Sequence, residues 1–355
     1  MKRRLIAGAA AVLGTVLIGG LVVPTAASAA DPVPTTVTLP LFGVPLTIDI
    51  TTGPGGALTD VSVDSANATV ATKLKPHKVV FSSTSALDPT ADPAKVTVKS
   101  KHGGQSVSAR AGTLADVSGS GSWSGDVFGD GIAASSVAFT IAGTDAAPDI
   151  TGTAAEPATG ITAVVGTVDH LTGDGDDDES SASARVSVKF TTATGDQSRI
   201  LTISVRTKTD DDGDTSAKVS ISLGRIKGVA IDAAAVAGPH TWSGVLCDNS
   251  AATITYDVAL DGSVSNVVAT PATADVKTDG GKIDVRFSHD ERVRIKVRED
   301  NGLIKISVDE RIRCRDAANP TTNVSTSIPA DGNHGGDKHG HDGHGHDDAA
   351  TTTLA

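Results

Sequence analysis

The sequence predicts an all-β protein of tandem small antiparallel β-meander or β-sandwich units, followed by a disordered tail. Three observations favour this class. Apolar and polar residues alternate with a period of two through much of the chain, which places alternate side chains on opposite faces of a strand. The alternating runs are short and are separated by turn residues, among which Asn301-Gly302 is the strongest hairpin signal. No convincing helical period follows the N-terminal apolar segment.

The chain begins with the features of a secretory signal peptide, which we predict over residues 1–29. Three basic residues precede an apolar segment at 5–23, and Ala27-Ser28-Ala29 supplies small residues for cleavage. No Cys lies there for a lipid anchor, and no later segment is long and apolar enough to span a membrane. We therefore expect a secreted, extracellular protein without a transmembrane segment after processing.

The rest of the chain divides into three similar β units, which we predict at 30–114, 115–228 and 238–316. Phe81, Phe190 and Phe287 fall at the same place in the three units. Trp123 and Trp242 open the second and third units, each followed by Ser-Gly. A repeat of this length favours tandem β units over one large fold. Chance similarity between β-rich segments is the alternative explanation.

The third unit contains the clearest pattern, an antiparallel meander at 282–314. Val293, Ile295 and Val297 alternate with basic residues, so one face of this strand is apolar and the other is cationic. We call the cationic set the basic stripe, and it consists of Arg292, Arg294, Lys296 and Arg298. Such a stripe is a candidate site for an anionic cell-wall polymer or an acidic protein. Solvated ion pairs across the strands are the alternative.

The chain has two cysteines, Cys247 and Cys314, and we expect them to form a disulfide in an oxidising compartment. The bond would join the strand after Trp242 to the end of the meander. In the chain-entropy model, a closed loop of this size contributes roughly 4 kcal/mol to stability. Paired cysteines would not be available as catalytic nucleophiles.

Residues 317–355 lack apolar periodicity, so we expect a disordered tail that cannot offset its ordering entropy. Its histidines are interleaved with Gly and Asp, and they are His334, His339, His341, His344 and His346. Tracts of this composition bind Zn²⁺, Ni²⁺ or Cu²⁺. The spacing is not that of a structural zinc site, so we expect fluxional binding that is lost as His protonates below about pH 6.5. A solvated, solubilising tail is the alternative.

Two acidic segments in the second unit form a candidate calcium site. The residues concerned are Asp174, Asp176 and Asp178 in one segment and Asp210, Asp212 and Asp214 in the other. Alternate turns of a meander lie at the same end of the sheet, so we expect the segments to be neighbours. Calcium prefers several flexible oxygen ligands, although neither segment matches the EF-hand pattern. Well-solvated hairpin tips are the alternative.

Composition and motifs exclude some classes of function. The formal charge is −12, and it becomes −15 when Lys2, Arg3 and Arg4 leave with the signal peptide. Nucleic-acid binding needs clustered Lys and Arg, so this balance argues against nucleic acid as a partner. Residues 121–125 place Trp where a Gly-x-Ser-x-Gly motif needs its nucleophile. We expect a non-enzymatic binding or structural module that requires no cofactor. The alternative is an extracellular divalent-metal-binding protein that works through the histidine tail.

Overall fold

A computed structural model describes residues 34–101, 103–129, 133–174, 180–314 and 318–326. Nearly all of its elements are strands, so the prediction of an all-β protein is confirmed. The first fifteen strands, in chain order, are β1 (Thr35–Leu41), β2 (Val44–Thr52), β3 (Leu58–Ser65), β4 (Ala68–Lys75), β5 (Lys78–Thr84), β6 (Ala94–Lys101), β7 (Gly104–Ala111), β8 (Gly119–Gly125), β9 (Ser135–Thr144), β10 (Ala147–Glu156), β11 (Ile161–Val165), β12 (Asp169–Asp174), β13 (Ser180–Thr192), β14 (Gln197–Thr209) and β15 (Thr215–Leu223).

The remaining described strands are short or belong to the C-terminal half. They are β16 (Lys227–Gly228), β17 (Ala230–Asp232), β18 (Gly238–Val245), β19 (Ala251–Val258), β20 (Val264–Thr270), β21 (Asp275–Asp279), β22 (Lys282–Arg286), β23 (Glu291–Asp300), β24 (Leu303–Ile312) and β25 (Thr321–Thr326). One helical turn, α1 (Ala233–Val236), lies between β17 and β18, and two 3-10 turns lie at Pro54–Gly56 and Ala115–Val117.

Two sheets form a larger sandwich. Sheet A has the strand order β10-β9-β8-β1-β2-β3-β25. Sheet B has the order β11-β13-β14-β15-β7-β6-β5-β4, with β12 beside β13 and β16 beside β14. One hydrophobic core lies between the sheets and contains Trp123 and Phe139 from sheet A and Phe81 and Phe190 from sheet B. Val, Ile, Leu and Ala fill most of the remaining core because the chain has few aromatic residues.

A smaller sandwich follows in the chain. Sheet C has the order β17-β24-β23-β22-β21, and sheet D has the order β18-β19-β20. A second hydrophobic core, with Ile254 from sheet D and Ile283 and Ile295 from sheet C, lies between them. The predicted meander is present as β22, β23 and β24, and Asn301 and Gly302 both adopt positive φ in its last hairpin turn. This is the backbone conformation that an Asn-Gly hairpin favours.

The three predicted units share one strand pattern, in which each unit contributes a three-stranded meander to one sheet and a four-stranded meander to the other. The pairs are β1–β3 with β4–β7, β8–β10 with β12–β15, and β18–β20 with β21–β24. Trp123 lies 6.2 Å from Phe190 and Trp242 lies 6.0 Å from Phe287 between ring centroids, so the aromatic contact also recurs.

The first two units are nevertheless joined into the larger sandwich. Strand β1 pairs with β8 in sheet A, and β7 pairs with β15 in sheet B. The division that we predicted at residue 114 therefore separates two sets of strands but not two cores. The reason is that a seven-stranded unit leaves open sheet edges, and edge strands pair when another edge is close.

The prediction that the disordered tail begins at residue 317 was wrong. Residues 321–326 form β25, which runs parallel to β3 at the edge of sheet A, and Val324 packs against the larger core. The segment is Thr-rich with one apolar residue, which suits an edge strand that meets unpaired backbone groups of β3.

Candidate functional site

The outer face of sheet B carries most of the cations of the larger sandwich. Along β13, the side chains of Ala184, Val186 and Val188 point into the core, so the side chains between them point to solvent. The same alternation holds in the neighbouring strands. Among the side chains that the structure describes, eleven that point outward are Lys or Arg, and we call their surface the basic face. They are Lys73, Lys75, Lys78, Lys95, Lys99, Arg110, Arg185, Lys189, Arg206, Lys208 and Lys218.

Strand register aligns four of these cations in one row across β14, β15, β7 and β6. The row consists of Arg206, Lys218, Arg110 and Lys95. Neighbouring strands lie about 4.8 Å apart, so these like charges repel one another. Arg110 donates to the Ser216 hydroxyl at 3.1 Å. No carboxylate in the described part of the chain lies within ion-pair distance of the row.

Hydroxyl side chains occupy the two rows next to this cationic row. One row contains Ser204, Ser220, Ser108 and Thr97, and the next contains Thr202, Ser222 and Ser106 before it reaches Lys99 and Lys78. Ser and Thr hydroxyls can donate hydrogen bonds to anionic oxygens. The basic face therefore combines positive charge with rows of neutral hydrogen-bond donors.

Lys78 shows that the charges near β5 are not compensated. Its pKa is lowered, first by partial burial and then by repulsion from Lys99, Lys73, Lys95 and Lys75 in turn. Among the described residues, Asp169 is the one carboxylate that points outward from the strands of sheet B. It lies opposite Arg185. An incoming anion would relieve repulsion that no described carboxylate relieves.

The outer face of sheet A has the opposite charge. Its seven strands contain no Lys or Arg among their described residues. Its outward carboxylates are Asp49, Asp60, Asp64, Asp149 and Glu156. Thr36 donates to Asp49 at 2.6 Å and Thr321 donates to Asp60 at 2.7 Å. The larger sandwich is therefore positive on one broad face and negative on the other.

The basic stripe points outward from β23, opposite the core side chains of that strand. Asp284 on β22 offsets part of the charge of the stripe because it pairs with two of the four cations. Arg292 Nε donates to Asp284 at 2.6 Å, a second Arg292 nitrogen donates to the same carboxylate, and Arg294 Nε donates at 3.2 Å. Hydrogen bonds from Arg292, together with Arg294, lower the pKa of Asp284 to about 2. Lys296 and Arg298 are exposed, and neither has an ion-pair partner among the described residues.

Asp174, the one described residue of the first acidic segment, lies at the same end of sheet B as the second acidic segment. Asp174 ends β12 opposite Ser180, and Ser180 in turn lies opposite Thr209, just before the second segment. Asp210 accepts a hydrogen bond from the backbone N–H of Asp214 at 2.9 Å, so its carboxylate closes its own turn.

Asp176 and Asp178 lie outside the described residues, while Asp212 lies in the turn between β14 and β15. No group of three or more metal-binding side chains occurs among the residues that the structure describes. Calcium binding stays a prediction, and a melting temperature that does not change in millimolar calcium would contradict it.

The two cysteines lie at disulfide distance, as predicted, with their Cα atoms 5.3 Å apart. Cys247 lies in the turn after β18 and Cys314 lies just after β24, so the bond connects sheet D to sheet C. The Cys247 N–H donates to the buried carboxylate of Glu291 at 2.6 Å. The signal peptide and the five tail histidines lie outside the described residues.

Sequence reasoning missed the basic face. A signal was present, because β13 carries Arg185 and Lys189 at polar positions and β15 carries Lys218 at another. The alternation shows that such side chains point outward, but not that β15 lies beside β7. The net negative charge disfavours nucleic acid as a partner, but the structure gathers eleven Lys and Arg side chains on one face.

No protein-family model, curated protein or solved structure matches this chain. In the part of the chain that the structure describes, no helix is long and apolar enough to cross a membrane. Any functional conclusion therefore depends on the geometry and charge of this molecule alone.

Proposed function

We propose that this protein is a secreted, non-enzymatic binding module that holds an anionic polymer of the cell envelope on the basic face. One observation carries the proposal. Eleven outward cations from two predicted units lie on one continuous sheet, and a single outward carboxylate lies among its described strands. Such a surface attracts a polyanion although the whole chain is acidic.

The shape of the basic face suits a polymer. The outer face of a sheet offers repeated, similar contacts along its strands, and each exposed charge pair contributes only about 0.2–1 kcal/mol. A chain with many linked anions converts these weak contacts into useful affinity because later contacts are intramolecular. The hydroxyl rows between the cations supply donors for oxygens that lie between two charges.

A polymer fits this face better than a second copy of the chain or a nucleic acid. The outer face of sheet A offers five carboxylates to eleven cations, so a stacked copy would leave most of the cations unpaired. Single-stranded nucleic acid is held by aromatic stacking as well as charge. The two Phe side chains on the strands of sheet B, Phe81 and Phe190, are both fully buried.

Calorimetric titration with polygalacturonate and with inorganic polyphosphate tests the proposal. The double variant Arg110→Gln/Lys218→Gln removes two charges from the cationic row, and Lys296→Gln/Arg298→Gln removes two charges from the basic stripe as a matched control. We expect the first variant to weaken binding of both polymers about tenfold, since two contacts of about 0.7 kcal/mol each give that factor. We expect the control to change binding less than threefold.

Several outcomes would contradict the proposal. Equal weakening by the two variants would show that only net charge matters. Tighter binding of single-stranded DNA than of either polymer would favour a nucleic-acid partner. Concentration-dependent assembly of the protein that the first variant abolishes would favour a second copy as the occupant.

Metal binding through the tail is a separate proposal that depends on the five tail histidines. Zinc titration of the protein and of a version truncated after Ala330 tests it. We expect the truncation to remove bound zinc, and unchanged stoichiometry would contradict the proposal.

A further inference from the structure

A cavity of about 180 Å³ opens on the basic face beside β14. It lies where the neighbour of β14 changes, because β15 pairs with residues 201–209 and β16 pairs with residues 197–198. The connection at 224–226 leaves the sheet between them and forms one wall. A water molecule occupies about 30 Å³ in the liquid, so the cavity has room for an oxyanion with some of its water.

Six polar side chains converge on this cavity. Three are hydroxyls and three are cations, and they are Ser198, Thr202, Ser222, Arg185, Arg225 and Lys227. None of the six has a hydrogen-bond or ion-pair partner among the described residues. No acidic side chain lines the cavity. A set of donors with three cations and no carboxylate is an environment that an anion satisfies.

Arg199 builds the wall of the cavity without being available as a ligand. Its Nε donates to the backbone oxygen of Gly224 at 2.7 Å, and its other nitrogens donate to the oxygens of Val127 and Gly103. Burial lowers its pKa to about 10, against the opposing effect of Asp126, so it stays charged at neutral pH. The fixed carbonyl of Gly224 anchors the start of the connection that carries Arg225.

We infer that this cavity, the oxyanion pocket, binds a tetrahedral oxyanion of the phosphate class. The inference deepens the proposed function and rests on it where the phosphate belongs to the polymer held on the basic face. A tetrahedral anion presents oxygens in several directions, which matches three cations and three hydroxyls placed around one space. A carboxylate presents two oxygens and one charge, so it would leave most of these donors unused.

Titration with inorganic phosphate tests the oxyanion pocket directly. We expect Arg225→Gln to weaken phosphate binding about tenfold, because a charge-assisted hydrogen bond contributes more than a neutral one. The control is Arg286→Gln, which removes an exposed arginine of the smaller sandwich, outside both the pocket and the basic face, and should change binding less than twofold. Thr202→Val removes one hydroxyl at nearly constant volume and should weaken phosphate binding about threefold. Equal effects of both arginine variants, or equal competition by acetate, would overturn the inference.

The polymer titrations separate the source of the phosphate from the proposed function. If Arg225→Gln weakens binding of polyphosphate but not of polygalacturonate, the pocket binds phosphate groups of a chain. If it weakens only inorganic phosphate, the pocket binds a small free oxyanion. If phosphate binding is unchanged in Arg225→Gln while Arg110→Gln/Lys218→Gln still weakens polygalacturonate binding, the pocket is wrong and the proposed function stands. If Arg225→Gln weakens phosphate binding while Arg110→Gln/Lys218→Gln leaves polygalacturonate binding unchanged, the pocket stands and the proposed function is wrong.

Discussion

The larger and the smaller sandwich are built from the same strand pattern, yet their cationic surfaces differ. On the basic face, the row from Arg206 to Lys95 meets no carboxylate among the described residues. On the smaller sandwich, Arg292 and Arg294 share Asp284 on the adjacent strand. The difference shows that the position of nearby carboxylates decides which outward cations remain unpaired. In the larger sandwich, sheet A carries those carboxylates.

The sandwiches also differ in how they are stabilised. Among the described residues, the larger core contains 36 buried hydrophobic residues and the smaller core contains 15. A small core buries less apolar area for each residue that folding orders, so small domains depend more on cross-links. The smaller sandwich contains the disulfide between Cys247 and Cys314. The larger sandwich has two long continuous sheets in place of a cross-link.

Removing the disulfide should have the largest effect on the free energy of unfolding. That effect should be confined to the smaller sandwich. We expect Cys247→Ala/Cys314→Ala to destabilise it by roughly 4 kcal/mol, the entropy of the open loop in the unfolded chain. Each sandwich has one Trp, so urea unfolding followed by fluorescence in Trp123→Phe and Trp242→Phe backgrounds reports on them separately. Equal loss of stability in both backgrounds would contradict the distinction.

Loss of the buried guanidinium should destabilise the larger sandwich instead. Arg199→Met leaves the backbone oxygens of Gly224, Val127 and Gly103 without their donor, and we expect a loss of about 3 kcal/mol. Arg206 lies on the same strand and is exposed, so Arg206→Met should change the free energy of unfolding by less than about 0.5 kcal/mol. Fluorescence of Trp123 during urea unfolding measures both, and similar losses would show that Arg199 has no special role.

Asp284 should make the smaller sandwich acid-sensitive. Its pKa is about 2 in the folded protein, below its ordinary value of 3.8, so its stabilising effect is present above pH 4 and is lost as the pH falls toward 2. We expect Asp284→Asn to cost about 1 kcal/mol at pH 7, after allowance for solvent screening, and almost nothing at pH 2. Urea unfolding at both pH values measures this difference, and a cost that does not depend on pH would contradict it.

The same substitution should make the two cationic surfaces more alike. Asp284→Asn releases Arg292 and Arg294 from their carboxylate, so we expect binding of polygalacturonate to the basic stripe to increase about twofold. The increase is measured in the Arg110→Gln/Lys218→Gln background, where binding to the basic face is weak. No increase there would show that the stripe cannot bind polymer even when its charges are free.

Much of the fold of the smaller sandwich could be predicted because its signals are local. Val293 and Ile295 alternate with arginines, and both are fully buried. Asn301 and Gly302 adopt the positive φ values that their turn requires. Only one pair of cysteines was possible. Each of these features depends on residues close in sequence or on a count, so no knowledge of the neighbouring sheet was needed.

The candidate site was less predictable because it depends on contacts between distant segments. Lys218 and Arg110 lie 108 positions apart by their numbers and face each other across β15 and β7. The oxyanion pocket brings together β13, β14, β15 and the connection before β16. By contrast, the contact between Arg292 and Asp284 is one of the ion pairs across strands that the sequence offered as the alternative for the basic stripe.

By itself, the sequence determined the strand class, the inward and outward faces of the clearly alternating strands, and the cysteine pair. These follow from the two-residue period of an extended chain and from residue identity. Only the tertiary structure decided that two units share one core, that β25 closes an edge of sheet A, and that cations and carboxylates lie on opposite faces. Edge pairing between units makes these choices, and backbone hydrogen bonds at an edge carry little information about which strand will meet them.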